Sequence, residues 1–353
     1  MAATATATAP VAVGAELEKA LEGLESGLAS VVQSIASSVA EISASLRTME
    51  FDEAGSTNSF GDDQLQADIH ADEIIFKHLR SCPAVASASS EEQSDILPMS
   101  QQQQPGQDYS VAFDPLDGSS IFDANFAVGS IFGVWPGSTP LGQTGRDQVA
   151  AAYSVYGPRT LLVLAVPSGS RAAAGGSQPQ HCDAAQQQQQ QDGQQQQQHG
   201  SISEAFDVLE FVLSDRRWRL RRVHTKLGDK NNVAPANIRA AAGNEAYQQL
   251  LHAWITNGCK LRYSGGMVPD VHHMLAKGGG VFCNPKSATA PAKLRLLYEC
   301  APVALVVEAA GGVSHDGQGS ILDLVINDTG ARSIIALGSA PQVAQCLDAM
   351  RGA

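Results

Sequence analysis

The stretch AFDPLDGSSIFDANF, residues 112–126, sets Asp114 and Asp117 on either side of a Pro-Leu pair and follows them at once with Gly-Ser-Ser. Pro115 fixes the chain after Asp114, so the Asp117 carboxylate and the Leu116 carbonyl can face one cation. The amides of Gly118, Ser119 and Ser120 can then point at a phosphate. Taken alone, the same residues also suit an ordinary turn with Gly118 in the left-handed region.

Acids elsewhere in the chain favour the first alternative. Asp62 and Asp68 in GDDQLQAD, Glu91 and Glu92 in SSEEQ, and Glu299 in LRLLYEC come from distant segments and sit at element ends rather than on solvated helix faces. Gathered without a cation, they would repel one another and some would hold protons instead. All-oxygen ligands without His or Cys select Mg²⁺ or Mn²⁺ over zinc, and several carboxylates can hold two or three such ions. Other templates fail. An EF-hand needs oxygen ligands where Leu116 and Gly118 stand, and neither a P-loop nor a G-x-S-x-G element occurs. Adjacent His272 and His273 point to different helix faces and read as structural helical residues.

The 353 residues suit two domains, and a net charge of −13 with a pI near 5.0 argues against nucleic-acid or anionic-membrane partners. No apolar run is long enough to cross a bilayer. The Ala/Thr-rich start lacks a secretory signal, and Lys19 is the sole cation before Arg47, so a transit peptide is poorly supported. Six cysteines without C-x-x-C spacing read as reduced, packed thiols.

Apolar spacings of three and four from Leu17 to Leu46 predict one long amphipathic helix, and a second is expected from about Leu65 to Arg80. Strand-like runs fill 108–166. Residues 168–202 are glutamine-rich and predicted to be a disordered insertion, with a smaller relative at Gln101–Gln104. FVLSDRRWRLRRV predicts a hairpin with a solvated basic strand, and PVALVVEAAGG a buried helix. The expected organisation is a disordered start over 1–14, a domain over 15–167 carrying the metal site, the insertion over 168–202, and a second α/β domain over 203–353.

SEEQ, FDPLDGSS, LRYSGGMVPDVHHML and KLRLLYECAPVALVVEAAGG together resemble the signature segments of the sugar bisphosphatases, the fructose-1,6- and sedoheptulose-1,7-bisphosphatase group. The likeness covers roughly residues 45–345 apart from the insertion. NSFGDDQL, NFAVGSIFGVWPG, YGPRT, APANIRA and VFCNP are more similar to the sedoheptulose branch. The resemblance implies an α/β fold, the layered αβαβα sandwich, with the active site between two α/β domains, and makes the domain over 203–353 the sugar-phosphate-binding one. It implies Mg²⁺-dependent removal of the 1-phosphate of sedoheptulose 1,7-bisphosphate, in the reductive pentose phosphate cycle and the chloroplast stroma. The cytoplasm is the alternative compartment, because the transit signal is poor. A fructose-1,6-bisphosphatase or dual-substrate enzyme is the alternative activity, and a catalytically silent glutamine-rich interaction protein the alternative of another class.

Carried onto this chain, the resemblance makes Glu91, Asp114, the Leu116 carbonyl, Asp117 and Glu299 the metal shell, with Glu92, Asp68 and Asp62 holding a further ion and activating water. Gly118, Ser119 and Ser120 would hold the 1-phosphate. Arg262, Tyr263, Gly265, Met267 and Lys293 would grip the sugar and its distal phosphate, Arg262 by analogy across a subunit interface of a homo-oligomer. Fructose enzymes carry Tyr where this chain has Arg239 and Asn284, which places both among the substrate-reading positions. Plastid relatives carry a redox-active cysteine pair where this chain, aligned without gaps, has Phe51 and Ser56, so activity without prior reduction is expected.

Overall fold

The computed structural model describes residues 12–48, 53–57, 63–99, 108–168 and 201–352. Asp62, Phe51, Gln101–Gln104 and nearly all of the glutamine-rich insertion lie outside these residues.

The chain opens with a short helix α1 (Leu17–Ala20), then α2 (Ser26–Thr48), the two-stranded ribbon β1 (Glu53–Thr57) and β2 (Asp63–Leu65), and α3 (Gln66–Arg80). A run of strands follows: β3 (Val85–Ser90), β4 (Leu97–Pro98), β5 (Tyr109–Asp117), β6 (Val128–Pro136), β7 (Ala150–Tyr156) and β8 (Thr160–Pro167). After α4 (Ile202–Ala205) come β9 (Phe206–Ser214), β10 (Arg217–His224), β11 (Asn232–Pro235), α5 (Glu245–Thr256), β12 (Lys260–Leu261) and α6 (Met267–Lys277). The chain closes with β13 (Val281–Asn284), α7 (Ala301–Ala309), β14 (Val313–His315), β15 (Ile335–Gly338) and α8 (Ala340–Arg351).

Strand alternation assembles these elements into layers. In β5, Val111 and Phe113 face the core shared with α2 and α3, whereas Ala112 faces the core shared with α6 and α7. In β13, Phe282 joins that middle core, whereas Val281 and Cys283 face α5 and α8. Among the described residues the order is therefore helices, an eight-stranded sheet, helices, a five-stranded sheet, helices: the expected αβαβα sandwich. None of the described helices is long and apolar enough to cross a membrane.

Three expectations are corrected. The single long helix is two, because Gly23 takes φ +92° and Glu25 caps the second segment, accepting from Gly27 and Leu28 N–H, both at 2.8 Å. Pattern periodicity continues through the break since α1 and α2 bury the same core face. The chain is ordered earlier than residue 15, where Gly14 N–H donates to Leu220 at 2.7 Å along the free edge of β10. Finally, the hairpin β9–β10 extends the first sheet, so the second half begins after His224 rather than at 203. That hairpin turns at Asp215 and Arg216, both with positive φ, as a two-residue turn requires.

The helix that matters most for the site, α6, is held at its middle and near its C-terminal end. Arg222 Nη1 donates to the Ala276 carbonyl at 3.0 Å, and His272 Nδ1 lies 3.2 Å from the Tyr153 hydroxyl. Burial lowers the His272 pKa to about 4, so it serves as a neutral, packed ring, in keeping with its reading as structural.

Candidate active site

The opening stretch ends β5, and its pairing with β6 slips there: Asp114 stands opposite Ile131, but Asp117 opposite Gly129. Three residues on β5 thus span two on β6, a β-bulge. A spacing of three would put the two carboxylates on opposite faces of a regular strand; the extra residue returns both to one face. Pro115 sits in the bulge, where no ladder amide is needed, and its carbonyl accepts from Ser130 Oγ at 2.7 Å. Leu116 N–H donates to Asp114 Oδ1 at 2.9 Å and fixes that side chain.

Glu91 follows β3, the parallel neighbour of β5, and its N–H donates to Phe113 at 3.0 Å. Glu299 lies in a π-helical turn, Leu296–Cys300, that enters α7. Both Glu299 and Cys300 N–H donate to the Arg295 carbonyl, at 3.1 and 3.0 Å, and this widening aims the carboxylate at the sheet. Glu91, Asp114 and Glu299 each bring a carboxylate oxygen within 4.8 Å of the others.

Burial is the main force on these acids, and mutual repulsion adds to it. Asp114 and Glu299 are pushed well above the ordinary carboxylate range, first by desolvation and then by Glu91 and one another's neighbours. Burial raises Asp117 to about 6 and Asp68 to about 7, the latter with contributions from Glu92 and Glu91. One buried cation, Arg295, offsets part of this charge: its Nη1 donates to Glu91 and its N–H to Glu299 at 2.5 Å. Three clustered carboxylates with no nitrogen or sulfur donor among them have the chemistry of a hard divalent-cation site.

Asp117 is held differently. Val268 N–H donates to its Oδ2 at 2.7 Å and Met267 N–H to its Oδ1 at 3.1 Å, so the N-terminus of α6 binds this carboxylate. Close approach is possible because Gly129 has no side chain; a Cβ there would lie 2.5 Å from Val268. Gly118 takes φ +86° and starts the 3₁₀ turn Ser119–Ile121, in which Ser119 is half-buried and Ser120 exposed. Asp68 is buried on α3, where its Oδ2 accepts from Leu65 N–H at 2.9 Å.

A cavity of about 460 Å³ opens beside Asp117 and Ser120. Arg239, Tyr263, Gly265, Met267, Asn284 and Lys293 line it. Arg262 does not; it is exposed and its Nη1 donates to Leu261 at 2.6 Å. Sequence reasoning missed three participants. Asn237, at φ +47°, lines the cavity, and only a left-handed position in the fold would reveal it. Arg295 stands inside the quoted LRLLYEC but carries no local sign of burial. Asp72, one turn beyond Asp68, is raised to about 7 by burial, with Glu92 adding repulsion; its i+4 spacing from Asp68 was a usable signal.

A buried carboxylate cluster, with Asp117 beside it lining a cavity that also holds Arg239 and Lys293, suits a hydrolase of phosphoric monoesters. Family comparison agrees. The fructose-1,6-bisphosphatase N-terminal domain matches residues 11–174 and the C-terminal domain residues 228–351. The chain belongs to the fructose-1,6-bisphosphatase family and is a sugar bisphosphatase. It is 38% identical to the chloroplastic sedoheptulose-1,7-bisphosphatase of Triticum aestivum over 88% of this chain and 70% of that protein. It is 36% identical to the class 1 fructose-1,6-bisphosphatase of Syntrophotalea carbinolica over 83% and 79%. The holo crystal structure of Leishmania major fructose-1,6-bisphosphatase superposes with a TM-score of 0.77 at 28% identity, covering 96% of this chain and 99% of that one.

Proposed function

We propose that this sugar bisphosphatase removes the 1-phosphate of sedoheptulose 1,7-bisphosphate, giving sedoheptulose 7-phosphate and phosphate. The observation that carries this reading is the cavity wall: Arg239 and Asn284, the positions where fructose enzymes carry Tyr, line it together with Lys293 and leave a cationic space for a longer sugar. Similarity to proteins named chloroplastic sedoheptulose-1,7-bisphosphatases supports the same substrate and a chloroplast location; we place the reaction in the reductive pentose phosphate cycle of the stroma on that basis. Similarity to bacterial class 1 enzymes favours fructose 1,6-bisphosphate as a second substrate.

The cofactor in this proposal is Mg²⁺, with Mn²⁺ able to replace it. Glu91, Asp114, Asp117, Glu299 and the Leu116 carbonyl would hold it, with Glu92, Asp68 and Asp62 beside a further ion. Bound there, a divalent cation neutralises phosphoryl charge and acidifies water. The chain supplies the rest. Amides of Gly118, Ser119 and Ser120 orient the reacting phosphate, and Glu92 with Asp68 accept the proton of the attacking water. Arg239 and Lys293 bind the distal phosphate by charge-assisted hydrogen bonds, which act locally despite the acidic chain. Tyr263, Gly265, Met267 and Asn284 enclose the sugar. The exposed Arg262 beside exposed Leu261 and Tyr263 suits a homo-oligomer in which Arg262 reaches a neighbour's cavity.

Phosphate release with each bisphosphate, as kcat/KM on one preparation at saturating Mg²⁺, tests the reading. A preference for sedoheptulose 1,7-bisphosphate is expected; a preference for fructose 1,6-bisphosphate of tenfold or more would reverse it.

A further inference from the structure

On the far side of the loop that closes the sugar cavity lies a second cleft, of about 340 Å³. Three cations from separate elements line it: Lys286 after β13, Arg332 before β15, and Arg351 at the end of α8. In a chain of net charge −13 such a convergence is the reverse of the surface average. The carboxylate in the lining, Asp316, is turned inward on its own loop, its Oδ1 accepting from Gln318 and Gly319 N–H, both at 2.7 Å. Among the described residues neither Lys286 nor Arg351 has a carboxylate within ion-pair distance. Arg351 is nevertheless anchored, donating from Nε to the Gly317 carbonyl at 3.0 Å, which leaves the outer nitrogens of its fork for a ligand.

Cleft and cavity share a wall. Asn284 lines the cavity and Lys286, two residues on, the cleft; Ala292 lines the cleft and Lys293 with Leu294 the cavity. Arg332 Nη1 donates to the Lys293 carbonyl and Asn237 Nδ2 to the Pro285 carbonyl, at 3.0 and 2.8 Å. Ser333 N–H donates to the Leu294 carbonyl at 2.9 Å. A group held by Lys286 therefore bears on the same short segment that carries Asn284 and Lys293.

We propose that this cleft binds a small phosphate dianion, either inorganic phosphate or the phosphate of a short ester, and that its occupancy changes the affinity of the sugar cavity through residues 284–294. Charge-assisted hydrogen bonds from the Lys286 ammonium and the outer nitrogens of Arg351, beside the positive charge of Arg332, suit a compact dianion better than an extended polymer. The binding half holds whichever sugar is the substrate.

Titration calorimetry of the full chain with inorganic phosphate, and separately with glycerol 3-phosphate, tests it. Two binding events are expected. Lys286→Ala with Arg351→Gln should weaken one at least tenfold and spare the other, which Arg239→Ala with Lys293→Ala should remove. The two titrants distinguish free phosphate from an ester. Without added anion, the Lys286/Arg351 variant should keep wild-type kcat and KM within twofold, and with anion its KM should rise only as simple competition at the sugar cavity requires, whereas wild type departs from that line. Because removing the Arg351 brace could loosen the Gly317 turn, Lys286→Glu alone serves as a second variant and should give the same selective loss. A single event, lost with Arg239 and Lys293 and indifferent to Lys286 and Arg351, would overturn the proposal. Binding at the cleft with no effect on KM beyond that competition would overturn its regulatory half.

Discussion

Val268 donates its backbone N–H to the Asp117 carboxylate at 2.7 Å, across 151 residues of sequence. This bond fastens the bulge at the end of the first sheet to the start of a helix from the second half. Asp117 is therefore both an anion of the site and the point where the layers are registered.

Asp117→Asn should fold, as checked by circular dichroism, because the amide keeps the shape and can still accept one α6 hydrogen bond. Its activity should fall by at least about two orders of magnitude, since the proposed metal site loses a negatively charged group. Turnover near wild type at saturating Mg²⁺ would remove Asp117 from the machinery.

The acids of the site also set a pH dependence of stability. Asp68 and Asp117 have pKa values raised to about 7 and 6 in the folded protein, above the usual 3.8. Between pH 4 and 7 the folded state thus binds more protons than the unfolded one, and metal-free stability falls as pH rises. The metal-free melting temperature should be lower at pH 8 than at pH 5.5, and Mg²⁺ should raise it most at pH 8. A flat profile in chelator, with no gain from Mg²⁺, would contradict the cluster as described. Glu25 and Glu210, each lowered to about 2, add stability as pH rises only until their unfolded counterparts are ionised, below about pH 5.5. His272, lowered to about 4, opposes the slope up to about pH 7 without matching the several raised acids.

Arg239→Tyr with Asn284→Tyr removes a cation and fills space on the cavity wall. The ratio of kcat/KM values should move toward fructose 1,6-bisphosphate by about 1–3 kcal/mol, the range that changes within a pocket produce. An unmoved ratio would mean that these residues do not read the sugar.

Activity should not depend on prior reduction. Cys82, Cys283, Cys300 and Cys346 are buried free thiols, and burial pushes Cys300 up further from the reactive range. Assays of air-oxidised protein with and without dithiothreitol and thioredoxin should differ by less than about tenfold, or 1.4 kcal/mol in the barrier. Cys283 and Cys346 touch in the core, so a larger activation would make them the first pair to replace.

Sequence alone pointed to the cluster of acids and to most of the elements. DPLDGSS, the Glu pair and LRLLYEC name the acids because a charged residue at an element end, next to Pro or Gly, has few structural uses. Helix α3 and the basic hairpin followed from period and turn residues, both local properties. Tertiary structure decided what locality cannot express. The break between α1 and α2 keeps the apolar period and so is silent in the pattern, although Gly23 and Glu25 carry it. The bulge that turns Asp114 and Asp117 to one face exists only against β6. Arg295 looks like any basic residue until folding buries it beside Glu91, and the hairpin's place in the first sheet is fixed by pairing with β8, across the glutamine-rich insertion. In each case the deciding partner is far away in sequence, and burial, which sets the energy of every charge here, is a property of the assembled layers.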